Sequence, residues 1–105
     1  TAFAVDSKKN KFYSSPYGQF MHYVDYQTVA FPKENVEIRS VAVDKDDNVF
    51  YSDEKSLNII KNGDYGNAIK ILDIPKISRI LIQKSGNIYL ASSDITKGGI
   101  YLLKN

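Results

Sequence analysis

The chain has 105 residues, enough for one small domain, and its 43% hydrophobic and 25% charged residues are ordinary for a globular protein. Its 14 basic and 12 acidic residues leave a formal charge of +2 and are spread along the chain, without the gathered basic face that nucleic acid needs. There is no cysteine, which excludes disulfides and thiolate metal sites, and no apolar run approaches the roughly 18 residues of a helical membrane span.

The chain opens on Thr1 without Met or a signal peptide, so a processed or excised chain is expected. The first predicted hairpin is Phe3-Ala-Val-Asp-Ser-Lys-Lys-Asn-Lys-Phe-Tyr-Ser14. An apolar triplet ends at Asp6, a polar turn holds the densest basic cluster (Lys8, Lys9, Lys11), and an aromatic strand follows. A loop around Pro16, Tyr17 and Gly18 leads to a third strand at about 20–24 and a fourth at about 27–31. The second hairpin is Val41-Ala-Val-Asp-Lys-Asp-Asp-Asn-Val-Phe-Tyr-Ser52, followed by strands at about 57–61 and 68–74. The third is Ile80-Leu-Ile-Gln-Lys-Ser-Gly-Asn-Ile-Tyr-Leu-Ala91, with one further strand at 100–103 after a flexible turn at Gly98-Gly99. No fourth strand follows before Asn105.

The three hairpins align without gaps at offsets of 38 and 39 residues, with Asn10, Asn48 and Asn87 in register. Asn and Asp suit these turns because their side chains bond the nearby backbone and tolerate a left-handed conformation. Gly86 meets the same need in the third copy. Four antiparallel strands every ~40 residues is the blade pattern of a β-propeller. The expected fold is therefore all-β, with about three four-stranded blades at 1–38, 39–77 and 78–105, the last incomplete. A β-sandwich is the rival; helical repeats lack the required apolar spacing.

The run Ser40-Val-Ala-Val-Asp-Lys-Asp-Asp-Asn-Val-Phe-Tyr-Ser-Asp53 resembles the blade motif of the NHL, YWTD and gluconolactonase-like propellers. The resemblance spans all three copies and is weakest in the third, where Gln83 and Leu90-Ala-Ser-Ser-Asp94 depart from it. Phe3-Ala-Val-Asp6 with Lys11-Phe-Tyr-Ser-Ser15 is also similar to the pigment-binding propellers of insect haemolymph, the ommochrome-binding type. That likeness points to secretion, although the absence of cysteine would equally fit a reducing compartment. Propellers of this type are usually six-bladed. The resemblance thus implies half a ring, completed by a second copy or a second chain, because open edge strands invite association.

Asp44, Asp46 and Asn48 alternate like calcium ligands, but Val49 and Lys55 stand where an EF-hand loop needs Gly and Glu. A turn is the expectation, with no metal and no cofactor. Asp6, Asp44 and Asp53 are expected to brace turn and strand-end amides. His22, the one histidine, lies in a strand where packing or surface exposure is expected, and no nucleophilic triad can be assembled.

Tyr13, Tyr51, Tyr89 and Tyr101 fall in strands and are expected in the core. In a propeller, the loops joining strands two to three and four to one share a face. Here that face collects Tyr17, the Pro32–Arg39 loop, and segments 53–56, 75–79 and 92–97. Arg39 and Arg79, placed just before the inner strands, and Tyr17 are the candidate ligand residues, suited to a small aromatic or anionic molecule. The expected function is a non-catalytic binding propeller, with no nucleic-acid or membrane partner. The alternatives are a metal-dependent gluconolactonase-like hydrolase, its ligands supplied by missing blades, and a protein-interaction scaffold.

Overall fold

The computed structural model describes residues 2–30 and 37–104, with side chains described except those of Val29 and Ala30. Among the described residues there is no helix. The chain forms three small antiparallel sheets. Sheet 1 runs β1 (Phe3–Val5), β2 (Lys11–Ser14), β3 (Phe20–Val24), β4 (Gln27–Ala30). Sheet 2 runs β5 (Ser40–Val43), β6 (Val49–Ser52), β7 (Leu57–Ile60), β8 (Ile69–Leu72). Sheet 3 has β9 (Ile77–Ile82), β10 (Ile88–Ser92) and β11 (Gly99–Leu103), in order β9-β10-β11. The predicted end of the fourth strand at Phe31 lies outside the described residues.

The hairpin turns explain why the motif repeats. Asp6 Oδ1 accepts the Lys8 and Asn10 amides, both at 2.9 Å, and Asn10 Nδ2 donates to Asp6 Oδ2 at 2.8 Å. Asp44 does the same for Asp46 and Asn48 at 2.9, 2.9 and 3.0 Å. The residue before each Asn takes a left-handed conformation: Lys9 at φ 68°, Asp47 at 63° and Gly86 at 92°. In the third turn Gln83 cannot replace the aspartate's amide-binding carboxylate, and glycine supplies the conformation at no steric cost. β3 and β4 are joined by Asp25 and Tyr26, both with positive φ (51° and 63°), as a two-residue hairpin turn demands.

Successive sheets pack face to face, and β5 lies against both β1 and β9. One core joins Phe12 and Phe20 of sheet 1 to Val49, Tyr51 and Ile60 of sheet 2, with Val41 and Val43 beside them. A second joins Phe50 and Leu57 of sheet 2 to Ile80, Ile88 and Leu90 of sheet 3, with Ala42 and Ile59 beside them. Alternation along β6 thus sends Val49 and Tyr51 one way and Phe50 the other, so this strand is buried along its whole length. Burial of an aromatic or branched side chain on this scale contributes roughly 1.5–3 kcal/mol each.

The strand tyrosines divide by neighbour. Tyr51 is buried, as expected of the core, but Tyr13 and Tyr89 occupy outward faces of the two end sheets and stay half-exposed. The motif position is the same for Tyr13 and Tyr51; only Tyr51 has a sheet packed over it.

Candidate functional site

The loops at one end of the sheets are tied together by backbone hydrogen bonds. Ile38 N donates to Gly18 O at 3.1 Å, Lys76 N to Glu54 O at 3.1 Å, and Ser93 N to Lys76 O at 3.0 Å. The first two join the loop after a sheet's second strand to the segment entering the next sheet, and the third joins the loop after β10 to the segment entering β9 of the same sheet; together they gather most of the expected loop face. The part of the Pro32–Arg39 loop at 32–36 lies outside the described residues.

Tyr17 stands at the tip of a tight turn and is 95% exposed. Ser15 Oγ accepts the amides of Tyr17 and Gln19, both at 3.2 Å, and Gly18 closes the turn at φ 86°. A Cβ at Gly18 would lie 2.7 Å from Glu37 Cγ, so this approach also favours glycine. Arg39 immediately precedes β5, as expected. Its amide donates to Ser52 O at 2.9 Å, and its Nε donates to Glu54 Oε2 at 2.8 Å. The Gly18–Ile38 hydrogen bond places Tyr17 and Arg39 each one residue from a shared contact.

Arg79 stands elsewhere. Sequence placed it just before an inner strand, but β9 starts at Ile77, so Arg79 lies within that strand, paired with Ala91 and exposed. Tyr17 and Arg39 flank one backbone hydrogen bond between loops, whereas Arg79 lies on the outer side of sheet 3.

Charged residues absent from the sequence-derived set complete the rim. The Arg39 hydrogen bond holds the Glu54 carboxyl below its usual range, with Lys76 assisting. Asp94 is likewise lowered, first by the Lys97 amide, then by the Thr96 hydroxyl, and also by Lys76. Arg39, Glu54, Lys76 and Asp94 therefore form a row of alternating charge across sheets 2 and 3. The signal available in sequence was only that these positions fall in loops of one face.

Other titratable groups serve the fold. Asp53 accepts the Lys55 and Ser56 amides at 2.9 and 2.8 Å, bracing its turn as Asp6 and Asp44 brace theirs. His22 is buried between Phe12 and Phe20, edge-on to both at 5.1 and 4.6 Å, and burial lowers its pKa to about 4. Ser52 Oγ donates to Ile77 O at 2.7 Å, tying sheet 2 to the start of β9. Among the described residues no group of three or more His, Asp or Glu is arranged to hold a metal ion. Comparison with known proteins matches this chain to no protein-family model and to no curated protein.

Proposed function

We propose that the chain is a run of three β-propeller blades acting as a non-catalytic binding module, with its ligand taken at the loop rim around Tyr17 and Arg39. The observation that carries this reading is the repeated packing. β5 lies between β1 and β9, and sheet 2 offers one face to sheet 1 and the other to sheet 3. A two-layer sandwich would instead bury one face of each sheet and leave the other in water. Sheet 2 buries both.

The binding reading rests on chemistry at the rim. The carboxylates of Asp53 and Asp94 are held by turn amides, and that of Glu54 by Arg39. They stiffen loops. Tyr17 offers an exposed ring, and Arg39 a planar guanidinium suited to carboxylate or other flat acceptors. A small aromatic anion fits that pairing.

Titration with a hydroxycinnamate, followed by calorimetry, tests the reading. Binding should weaken roughly tenfold or more in Arg39→Ala and in Tyr17→Ala, and should be unchanged in Arg79→Ala. Equal affinity in Arg39→Ala, or no uptake by the parent chain, would count against this site.

A further inference from the structure

We propose that the turn end of sheet 1 holds a second ligand site, a basic and aromatic cleft that takes the anionic group and ring face of an acidic saccharide. Lys8, Lys9, Lys11, Tyr23, Asp25 and Tyr26 line this cleft, whose volume of about 410 Å³ is that of a small-ligand pocket. It lies between the β1–β2 turn and the β3–β4 turn, at the end of the sheets opposite the rim. Its lysines are the densest basic cluster in the sequence, and the rim makes no use of them.

The cleft departs from the repeat that builds the rest of the fold. Lys9 takes the turn position that Asp47 and Gly86 hold in the other hairpins, and Lys11 takes the strand position of the buried Val49 and Ile88. Asp47 uses its place to accept the Ser7 amide; a lysine there can only donate. The two-residue β3–β4 turn is also particular to sheet 1, since residues 61–68 join β7 to β8. Places where a sequence breaks its own folding rules are where function is expected.

Backbone strain converges on the same place. Among the described residues five that are not glycine have positive φ, and Lys9 (68°), Asp25 (51°) and Tyr26 (63°) are three of them. A two-residue hairpin turn demands that conformation, but it does not demand an aromatic; Asn-Gly meets it at far lower steric cost. Tyr26 nonetheless stands there, 92% exposed, outside both cores.

The chemistry of the lining selects the ligand. Among the described residues no carboxylate forms an ion pair with Lys8, Lys9 or Lys11. Lys8 Nζ donates to Asn62 Oδ1 at 3.1 Å, and the Lys11 ammonium lies 4.9 Å from the centroid of the Tyr23 ring. Both partners are neutral, so neither cancels the charge. Ammonium groups bind sulfate, phosphate or carboxylate as point charges. Asp25 accepts hydroxyl protons and disfavours an occupant that is anionic all round. The open Tyr26 ring covers an apolar C–H face. An anion, hydroxyls and a ring face together describe an acidic sugar.

Calorimetric titration of the full chain with a heparin-type sulfated hexasaccharide tests the site. An oligogalacturonate arm separates carboxylate from sulfate, and either acidic saccharide binding in the cleft supports the proposal. Inorganic sulfate and maltohexaose alone should bind roughly tenfold more weakly or worse. Affinity should fall roughly tenfold or more in the Lys9→Gln, Lys11→Gln double variant and in Tyr26→Gly. Glycine suits the positive φ, so the melting temperature of Tyr26→Gly should hold or rise while binding weakens. Lys84→Gln, in the third hairpin turn, and Arg39→Ala, at the rim, should bind as the parent does. Unchanged affinity in Tyr26→Gly, or a lowered melting temperature there, would overturn the proposal. So would an equal loss in Lys84→Gln, sulfate binding as tightly as the hexasaccharide, or no uptake of either acidic saccharide. Loss in Arg39→Ala alone would also overturn it, by moving the binding to the rim, and would leave the rim reading standing.

Discussion

Ser7 and Asp47 join the turn of the first hairpin to the turn of the second: the Ser7 amide donates to Asp47 Oδ1 at 2.9 Å, and the Ser7 hydroxyl donates to Oδ2. These bonds hold the Asp47 carboxyl below its usual pKa. The clasp lies at the end of the sheets opposite the rim, so it fixes the approach of sheet 1 to sheet 2 without touching the proposed site. Ser7→Ala and Asp47→Ala should each lower the melting temperature. Their double mutant should lose little more than Asp47→Ala alone, which removes the same hydrogen bonds and also a residue suited to the left-handed turn. Additive losses in a thermal-unfolding cycle would show that the two groups act independently.

Acid should destabilise the fold through His22. Its folded pKa of about 4 lies below the 6.5 of a free imidazole, so between these values the unfolded chain binds more proton. Stability from this group is therefore complete above pH 6.5 and declines as the pH falls towards 4, by an amount on the order of 3 kcal/mol. His22→Leu should flatten denaturant-derived stability across that window. An unchanged slope in the variant would assign the acid sensitivity to other groups.

The turns were legible in the sequence because their chemistry is local. Asp6 and Asp44 each reach amides two and four residues on, and Gly86 replaces what Gln83 cannot do. Arg39 was legible as a residue at the mouth of a strand, but its partner was not, because Glu54 is brought to it by the intervening hairpin. Arg79 was misplaced for a specific reason. β9 is longer than β5 and begins earlier in the repeat, and its pairing with β10 shifts register at Ala91/Ser92. Burial of Tyr51 but not Tyr13 was also hidden, since the motif encodes the strand and the neighbouring sheet decides its exposure.

Ser52→Ala should cost about 1–2 kcal/mol. Of its two hydroxyl contacts the Ile77 carbonyl would keep the longer one, from Ser40 Oγ at 3.4 Å, in a buried setting. Urea unfolding measures it, and a loss within a few tenths of a kcal/mol would mean that sheet 2 does not depend on this tie.

Glu54 should compete with an anionic ligand for Arg39. Glu54→Gln removes the negative charge beside the guanidinium, so hydroxycinnamate affinity should rise several-fold in calorimetry, with the gain shrinking in high salt. Weaker binding in this variant would mean that Glu54 contacts or positions the ligand itself.

That these sheets are consecutive propeller blades is tested by a crystal structure of the protein. β1, β5 and β9 are expected around a common axis, with Val5, Val43 and Ile82 at equivalent depths. Two stacked layers of sheet, with one face of sheet 2 left in solvent, would contradict it.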